Sequence, residues 1–187
     1  MRRIRYQVAA SLDGYIAGPK GEADWIITDP DIDFRALFAQ FDTLLVGRKT
    51  FEAMGGTKHK GKGSVMPGMK VLVFSRTLRQ ADYPQLTIVR HNVKKAVTAL
   101  RKEEGKDIWI FGGGQLFQSL LDEGLVDTVE LAIIPVLLGR GIPLLAPSAK
   151  RAKLRLTGHK VYKTGIVLLE YAVEPAGRKK KAAGAKR

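Results

Sequence analysis

The sequence predicts an α/β fold in which a mixed, mainly parallel β-sheet is flanked by helices on both faces and ends in antiparallel strands. Two observations predict the parallel part: short β-branched apolar runs are bounded by polar or glycine-rich residues, and segments with helical spacing lie between them. Strands that are apolar almost throughout are typical of a parallel sheet covered on both faces. After Val126, strand patterns follow one another without a helix, which predicts an antiparallel pair at one edge.

Five strands and three helices are predicted in the first part of the chain. The strands comprise residues 3–10, 43–47, 70–74, 86–90 and 107–111. The helices are predicted from apolar residues spaced three, four and seven positions apart, because that spacing places them on one helix face. The three faces consist of Phe34, Leu37, Phe38 and Phe41; of Val93, Ala96, Val97 and Leu100; and of Leu116, Phe117, Leu120 and Leu121.

The composition indicates one domain without metal or disulfide chemistry. The 187 residues are 45% hydrophobic, which suits a single core. Because the chain has no cysteine and its three histidines show no ligand spacing, we expect no metal site. No apolar run reaches the ~18 residues of a membrane span, and the charged first residues leave no signal-peptide core. We therefore expect a cytoplasmic protein without membrane contact.

A basic segment follows the predicted domain. The net charge is +14, and the residues after Glu174 contribute six positive charges and no acid, which leaves +8 for the first 174 residues. This segment is poor in large apolar groups, so we predict a domain at 1–174 and a disordered basic tail at 175–187. Two interpretations of the tail remain open: a solubilising segment, or an electrostatic contact with nucleic acid. No aromatic residue lies between its lysines, so base stacking is not expected.

Three consecutive glycines follow the predicted strand at 107–111. In such a sheet, ligands bind at the carboxyl ends of the strands, where the next helix presents unpaired N–H groups. A phosphate could approach the bare backbone of Gly112, Gly113 and Gly114, and the helix dipole would favour its charge. The alternative is a tight turn or a close contact between strand and helix.

A second strand end has residues that suit a phosphate. The stretch "TLLVGRKTFEAM" places a glycine, two cations and a hydroxyl at the start of a short predicted helix: Gly47, Arg48, Lys49 and Thr50. Cations and hydroxyls form charge-assisted hydrogen bonds with phosphate oxygens. A capped surface turn is the alternative interpretation.

These segments together resemble a known family. The stretches "VAASLDGYIAGPKGEADWI", "FDTLLVGRKTFEAM", "VLVFSRTL", "IWIFGGGQLFQSLLDEGLVDTVELAIIPVLLGRGIPLL" and "GIVLLEYAV" are similar, in that order, to the dihydrofolate reductase-like family. That family includes the C-terminal reductase domain of the bifunctional riboflavin-biosynthesis deaminase/reductase. The resemblance covers about residues 3–173 and leaves out the tail.

The resemblance implies an NADPH-dependent reductase that acts on a small heterocyclic or carbonyl substrate, either pyrimidinone-like or pterin-like. By position, the cofactor phosphates would meet Gly47, Arg48, Lys49 and Thr50. The 2'-phosphate region would meet Ser75 and Arg76. The pyrophosphate would lie over Gly112, Gly113, Gly114 and Gln115, and the nicotinamide would lie against Ala10, Asp13, Ile16 and Ala17. We also expect a homodimer.

Reduction of a C=N or C=O bond needs a proton, and the resemblance offers two placements for the acid that donates it. "GRKT" resembles dihydrofolate reductases, whose acid lies on the preceding helix; Asp31 and Asp33 occupy that region here, and Asp33 is the predicted catalytic residue. "SLDG" resembles the riboflavin-pathway reductases and offers Asp13. The alternative for Asp31 and Asp33 is that both acids only favour a helix N-terminus.

Three classes of function follow from the sequence. The first is the NADPH-dependent reductase. The second is a non-catalytic nucleotide-binding protein on the same fold, which predicts cofactor binding without turnover. The third is a protein that associates with nucleic acid through its basic tail, with an affinity that falls steeply with salt.

Overall fold

The computed structural model describes residues 1–59, 66–146 and 151–175. No helix within these ranges is long and apolar enough to cross a membrane. The predicted tail lies, apart from Pro175, outside the described residues. The division into a domain and a tail therefore stays a prediction.

The described residues form ten strands, four α-helices and two short 3₁₀ turns. The strands are β1 Ile4–Ser11, β2 Tyr15–Ala17, β3 Phe41–Gly47, β4 Lys70–Phe74, β5 Thr87–Val89, β6 Asp107–Gly112, β7 Thr128–Ile134, β8 Ile142–Pro143, β9 Leu154–Val161 and β10 Val167–Val173. The α-helices are α1 Phe34–Phe38, α2 Arg48–Ala53, α3 Val93–Lys102 and α4 Gly114–Asp122. The 3₁₀ turns are Gly56–His59 and Gln80–Asp82.

Eight strands form one sheet in the order β5-β4-β3-β6-β1-β7-β10-β9. The six strands from β5 to β7 are parallel to one another, whereas β10 is antiparallel to β7 and β9 is antiparallel to β10. A separate antiparallel pair joins β2 to β8. This architecture confirms the predicted fold class: a mixed, mainly parallel sheet with helices on both faces and antiparallel C-terminal strands.

The two faces of the sheet carry separate apolar clusters. On one face, α3 and α4 pack their apolar sides against β1 and β6, as the periodicity predicts, and Val97, Leu100 and Leu120 are almost fully buried. On the other face, Phe51 of α2 is fully buried in a second cluster with Trp109. Alternation along the parallel strands supplies both clusters, because successive side chains point to opposite faces.

The region around α1 corrects one detail of the prediction. Phe41 was assigned to the helix face of Phe34, Leu37 and Phe38, but it is the first residue of β3. The helix has five residues and ends at Phe38, and the amide of Ala39 caps it by donating to carbonyl groups of the preceding turn. Phe41 keeps its apolar environment, since it is 3% exposed in the second cluster.

Paired charges lie at the amino-terminal ends of the central strands. The guanidinium of Arg5 in β1 donates two hydrogen bonds to the carboxylate of Glu130 in β7, at 2.7 and 2.6 Å. The same guanidinium reaches Gln40 and Asp107 and lies 4.7 Å above the ring of Phe41. Because both members of the Arg5–Glu130 pair are buried, the pair is held within the sheet rather than on its surface.

Candidate functional site

Two predicted phosphate-binding segments meet at the carboxyl edge of the sheet. Strands β3 and β6 are adjacent and parallel, so their following segments emerge side by side. A Cβ placed on Gly47, at the end of β3, would lie 3.7 Å from the backbone nitrogen of Gly113. The structure therefore brings the glycine turn of residues 112–114 together with the start of α2.

A different structural feature favours glycine at each of the three positions. Gly112 has a φ angle of +148° and is joined to Gly113 by a cis peptide bond. A Cβ on Gly113 would lie 3.2 Å from Oγ1 of Thr50, and one on Gly114 would lie 2.8 Å from the carbonyl oxygen of Pro143. A tight turn and close packing therefore account for much of the glycine content, as the alternative interpretation states. The predicted contact with a pyrophosphate stays a prediction.

The α4 helix begins directly after this turn. Gly114 and Gln115 are its first two residues, and the carbonyl of Gly113 accepts hydrogen bonds from the amides of Leu116 and Phe117. The first amides of a helix have no partner within that helix, so the amides of its first residues are donors suited to an anion. The side chain of Gln115 is exposed beside them.

The first turn of α2 presents its cations to solvent. Lys49 is exposed, and Nη1 of the exposed Arg48 lies 2.8 Å from Oε1 of Glu52, one turn further along the helix. Such pairs contribute about 0.3–0.5 kcal/mol. The guanidinium can therefore exchange Glu52 for a more highly charged anion at small cost.

Ser75 and Arg76 follow β4, which is the neighbour of β3. The buried Ser75 uses its Oγ to accept hydrogen bonds from the amides of Thr77 and Leu78, at 3.2 and 3.1 Å. Arg76 is exposed, and its carbonyl oxygen accepts a hydrogen bond from Nη2 of Arg90 at 2.8 Å. The hydroxyl of Ser75 thus stabilises the turn. At the same strand ends, the side chain of Arg90 contacts the backbone of Arg76.

Sequence reasoning missed Arg90. A signal was available, because Arg90 directly follows β5, Arg76 is the second residue after β4, and parallel strands end at the same edge of a sheet. The structure adds Arg90 to the cations that could meet a phosphate at this edge.

Asp13 fastens two loops together. Its carboxylate accepts hydrogen bonds from the hydroxyl of Ser11 at 2.6 Å and from the backbone amides of Leu138 and Gly139 at 3.1 and 2.7 Å. The hydrogen bond from Ser11, together with those backbone amides, lowers the pKa of Asp13. A carboxylate in this environment favours its ionised form, which suits a loop clamp. The predicted catalytic role of Asp13 stays a prediction.

The predicted nicotinamide wall lies around the end of β1. Ala10 is fully buried in β1, and the half-buried Ile16 and Ala17 belong to β2. Strand β2 pairs with β8, where Ala17 is aligned with Ile142. The amide of Leu144 also donates to the carbonyl of Gly14 at 2.9 Å. Residues after β1 are thus held beside the segment that packs on the start of α4.

Asp33 is the N-cap residue of α1. Its Oδ1 accepts a hydrogen bond from the amide of Ala36 at 2.9 Å, and the residue is exposed. Asp31 is also exposed, and its amide donates to the carboxylate of Asp29. This geometry agrees with the alternative in which the acids favour a helix start. The catalytic assignment of Asp33 stays a prediction, and the structure gives it no contact with Asp13.

Asp29 ties the loop before α1 to the turn between β9 and β10. Besides the amide of Asp31, its carboxylate accepts hydrogen bonds from the amide and hydroxyl of Thr164, at 3.0 and 2.8 Å. The backbone hydrogen bond from Asp31 and the two bonds from Thr164 lower the pKa of Asp29. The start of α1 is therefore fixed by a long-range contact that sequence reasoning did not identify.

Four aromatic side chains form a row that sequence reasoning also missed. The ring centroids are 6.1 Å apart for Phe34 and Phe38, 5.6 Å for Phe38 and Trp109, and 5.0 Å for Trp109 and Phe111. This aromatic row leads from the start of α1 to Phe111, which directly precedes Gly112. Phe34 and Phe38 are 42% and 38% exposed. One end of the row is therefore open to solvent, and the other adjoins the glycine turn.

Within the described ranges, no group of three or more His, Cys, Asp or Glu side chains could hold a metal ion. The groups proposed to contact a ligand at the carboxyl edge are amides, hydroxyls, cations and aromatic rings, together with the carboxylates of Asp13 and Asp33. Such groups can bind an organic anion and a flat ring.

The sheet order and the strand-end segments define an α/β reductase fold of the dihydrofolate reductase type. The profile of the RibD C-terminal domain family matches residues 2–168, so the chain belongs to that family. This match confirms the resemblance that the sequence motifs indicate.

Two curated relatives cover most of the chain. YyaP, an uncharacterized protein of Bacillus subtilis, is 37% identical over 178 residues, which are 91% of this chain and 94% of YyaP. Dihydrofolate reductase type 1 of Escherichia coli is 32% identical over 136 residues, which are 72% of this chain and 76% of the relative. The chain therefore shares sequence with a dihydrofolate reductase and with an uncharacterized protein, each over more than two thirds of its own length.

Solved structures support the same fold. A putative riboflavin biosynthesis protein from Shewanella has a TM-score of 0.76 and 26% identity, and the match covers 94% of this chain and 100% of that protein. Dihydrofolate reductase from Enterococcus faecalis, solved as a complex with NADP(H) and RAB-propyl, has a TM-score of 0.67 and 19% identity. That match covers 92% of this chain and 97% of the enzyme. The second similarity concerns the fold alone.

Proposed function

We propose that the protein is an NADPH-dependent reductase that transfers a hydride to a small heterocyclic or carbonyl substrate, either pyrimidinone-like or pterin-like. The observation that carries the proposal is the junction at the carboxyl edge, where Gly113 lies against Thr50 at the start of two helices. Membership of the RibD C-terminal domain family supports a reductase. The NADP(H) bound to the Enterococcus faecalis enzyme supports the choice of cofactor.

The residues at the carboxyl edge fit a dinucleotide phosphate. The first amides of α4 can donate to the pyrophosphate, and Arg48 can contribute a charge-assisted hydrogen bond. The guanidinium of Arg90 donates to the backbone carbonyl of Arg76, whose own side chain is exposed, and both side chains can turn toward the additional phosphate that distinguishes NADPH from NADH. Two guanidinium groups at this place favour a doubly charged phosphate over a ribose hydroxyl.

NADPH supplies the hydride, and the residues of the chain position the reactants and provide the proton. The half-buried Ile16 and Ala17 offer a small, apolar wall that excludes water from the reacting atoms, and the fully buried Ala10 lies behind that surface. Asp33 is our proposed proton donor, with Asp13 as the alternative. Because Asp13 accepts three hydrogen bonds that favour its ionised form, Asp33 is the better donor.

A non-catalytic nucleotide-binding protein is the second candidate, and one observation favours it. Both candidate acids have structural hydrogen bonds: Asp33 caps α1, and Asp13 joins two loops. The two candidates differ in turnover alone, since both predict cofactor binding. A role in nucleic-acid binding through the tail stays a prediction, as do the homodimer and the cytoplasmic location.

Thermal unfolding with added nucleotide tests the cofactor. A ligand present at ~100 times its Kd adds ~2.7 kcal/mol to the free energy of unfolding, which raises the midpoint by several degrees. We expect a larger shift with NADPH than with NADH at equal concentration. Equal shifts would contradict the assignment of the two arginines, and no shift with either nucleotide would contradict the reductase itself. Oxidation of NADPH with a panel of heterocycles then separates an enzyme from a binding protein.

Arg76→Ala provides the residue-level test. We expect its affinity for NADPH to fall about tenfold, as for a lost charge-assisted hydrogen bond, while its affinity for NADH is unchanged. Lys95→Ala is the matched control, because Lys95 is an exposed cation on α3. An equal loss of affinity in both variants would show that only the overall charge matters.

A further inference from the structure

The outer face of α3 forms a shallow groove with a volume of about 580 Å³. Six residues, three of them lysines, line this lysine groove: Asn92, Lys94, Lys95, Thr98, Ala99 and Lys102. The inner face of the helix is apolar and packs in the core through Val97 and Leu100. Among the described residues that line the groove there is no carboxylate, so the groove favours an anionic partner.

The lysines of the groove differ in their pairing. Nζ of Lys94 lies 2.7 Å from Oε2 of Glu123. Lys95 and Lys102 are exposed, and neither has a carboxylate partner in the described part of the chain. Glu103, which directly follows α3, is paired with a different lysine, Lys70, at 3.0 Å. Two ammonium groups of the groove can therefore bind an anion without first giving up an ion pair.

The spacing of these two lysines suits a row of phosphates. Lys102 is the seventh residue after Lys95, so the two lie on the same face of α3, two helical turns and ~10 Å apart along its axis. One strand of a DNA duplex has a phosphate every ~3.4 Å along the duplex axis. The two ammonium groups can therefore contact phosphates about three nucleotides apart on one strand.

The basic tail follows from the same end of the molecule as Lys102. The amide of Val173, the last residue of β10, donates to the carbonyl of Asp127 at 2.9 Å. The carboxylate of Asp127 is paired with Arg101, the residue before Lys102. The residues after Glu174 add six positive charges and no acid. The tail can therefore extend the electrostatic contact that the lysine groove begins.

We propose that the lysine groove of α3, together with the basic tail, binds the phosphodiester backbone of a DNA duplex. This function is additional to the proposed reductase and uses a different surface of the domain. The amide of Asn92 and the hydroxyl of Thr98 add hydrogen-bond donors to the lysines. Contacts with phosphates do not read the bases, so the binding is independent of base sequence.

Two other polyanions fit the groove less well. Single strands are bound by stacking their bases on aromatic rings, and no aromatic side chain is among the described residues that line the groove. Helices that lie on a membrane surface need an exposed apolar face, whereas the apolar face of α3 is buried in the core. The backbone of a duplex requires only the cations and donors that the groove offers.

The double variant Lys95→Gln/Lys102→Gln, in the full chain, tests the groove. Binding to a fluorescently labelled DNA duplex is measured by anisotropy at several salt concentrations. Each lost phosphate contact reduces the slope of log K against log salt by ~0.9, so we expect the slope to fall by ~1.8. The affinity at ~0.1 M salt should fall ~10- to 100-fold. Glutamine is a good helix former, so the unfolding midpoint should be unchanged.

Lys20→Gln/Lys163→Gln is the matched control. Both lysines are exposed and lie outside α3, and this variant loses the same net charge as the double variant of the groove. We expect it to keep the slope and most of the affinity of the wild type. An equal loss in the two variants would show that only overall charge matters, and the groove would have no role.

Removal of residues 176–187 separates the groove from the tail. We expect the truncated chain to bind the duplex more weakly and to lose further affinity when Lys95→Gln/Lys102→Gln is added. If the truncation abolishes binding while the double variant binds as the wild type does, the tail acts alone and the inference is wrong. Tighter binding to a labelled single strand, or to vesicles of anionic lipid, would also overturn it.

These outcomes are independent of the reductase. The double variant should keep the thermal shift with NADPH, because neither lysine is among the residues that we assign to the cofactor. A shift with NADPH in a wild type that does not bind the duplex would overturn the role of the groove and leave the reductase. Duplex binding without any shift with NADPH would overturn the reductase and leave the groove.

Discussion

The two edges of the sheet differ in how their charged side chains are paired and buried. At the amino-terminal edge, arginines are held by carboxylates in the sheet, and the buried Arg5 donates two hydrogen bonds to the buried Glu130, at 2.7 and 2.6 Å. At the carboxyl edge, Lys49 and Arg76 are exposed, and Arg48 has a surface partner within its own helix. Further pairs of the amino-terminal edge are Arg2–Asp42, Arg3–Asp107 and Arg101–Asp127.

The difference indicates which charged side chains stabilise the fold and which are available to bind a ligand. A buried pair loses several kcal/mol when one partner is removed, because the other charge stays buried. An exposed cation loses little when it changes partner. We therefore expect substitutions at the amino-terminal edge to change stability, and substitutions at the carboxyl edge to change binding and turnover.

The largest expected effect is that of Glu130→Leu. This variant leaves the guanidinium of Arg5 without its bidentate partner and keeps most of the side-chain volume. We expect the free energy of unfolding to fall by about 3–5 kcal/mol and the midpoint of thermal unfolding to fall by about 10 °C. Urea and thermal unfolding measure both quantities.

Two further variants make this test specific. Lys70→Ala breaks the exposed ion pair with Glu103 and should cost no more than about 1 kcal/mol. The double variant Arg5→Met/Glu130→Leu removes both buried charges and should regain most of the loss. A loss as large in Lys70→Ala as in Glu130→Leu would remove the contrast between buried and exposed pairs.

The second expected effect concerns Asp33, on the side of the carboxyl edge. Asparagine is as good an N-cap residue as aspartate, so Asp33→Asn keeps the cap of α1 and removes the acid. We expect kcat to fall ~10²- to 10⁴-fold, as for a lost general acid, while NADPH affinity and the unfolding midpoint are unchanged. Steady-state kinetics and nucleotide titration measure the two effects.

Asp31→Asn and Asp13→Asn are the comparisons for this prediction. Asp31 lies in the same loop as Asp33 and makes no cap bond to Ala36, so its variant should keep full turnover. If Asp13→Asn loses turnover and Asp33→Asn keeps it, the riboflavin-type site is favoured. If neither variant changes the rate, water is the proton source, and Asp33 is a helix-start residue.

The smallest expected effect is that of removing residues 176–187. The tail offers no apolar surface to bury, so the unfolding midpoint and NADPH affinity should stay the same. Retention on immobilised nucleic acid at low salt is the property that the truncation could remove. A loss of NADPH affinity would instead show that the tail acts at the cofactor site.

Strand positions were the most predictable part of this molecule. The run at 70–74 matches β4, and the run at 43–47 lies within β3, because apolar β-branched runs between polar boundaries have few alternatives. The helix faces of α3 and α4 were predicted from apolar residues spaced three, four and seven positions apart. Strands β2 and β8 were not predicted, since two or three residues are too few to show a period.

The sequence predicted candidate site residues only where glycine or polar residues directly follow a strand. The sequence did not predict that β3 and β6 are neighbours, an arrangement that places a Cβ on Gly113 within 3.2 Å of Oγ1 of Thr50. Trp109 and Phe111 were read only as apolar strand residues, because the sequence does not tell which face of a strand is left uncovered.

The Arg5–Glu130 pair also limits how this protein could evolve. A change at Arg5 alone leaves the buried Glu130 without its cation, and a change at Glu130 alone leaves the buried Arg5 with only Asp107 and Gln40, so either single change is costly. Exposed cations such as Arg76 and Lys49 can be exchanged one at a time. Single mutational steps can therefore alter ligand preference at one edge of the sheet while the centre of the fold stays the same.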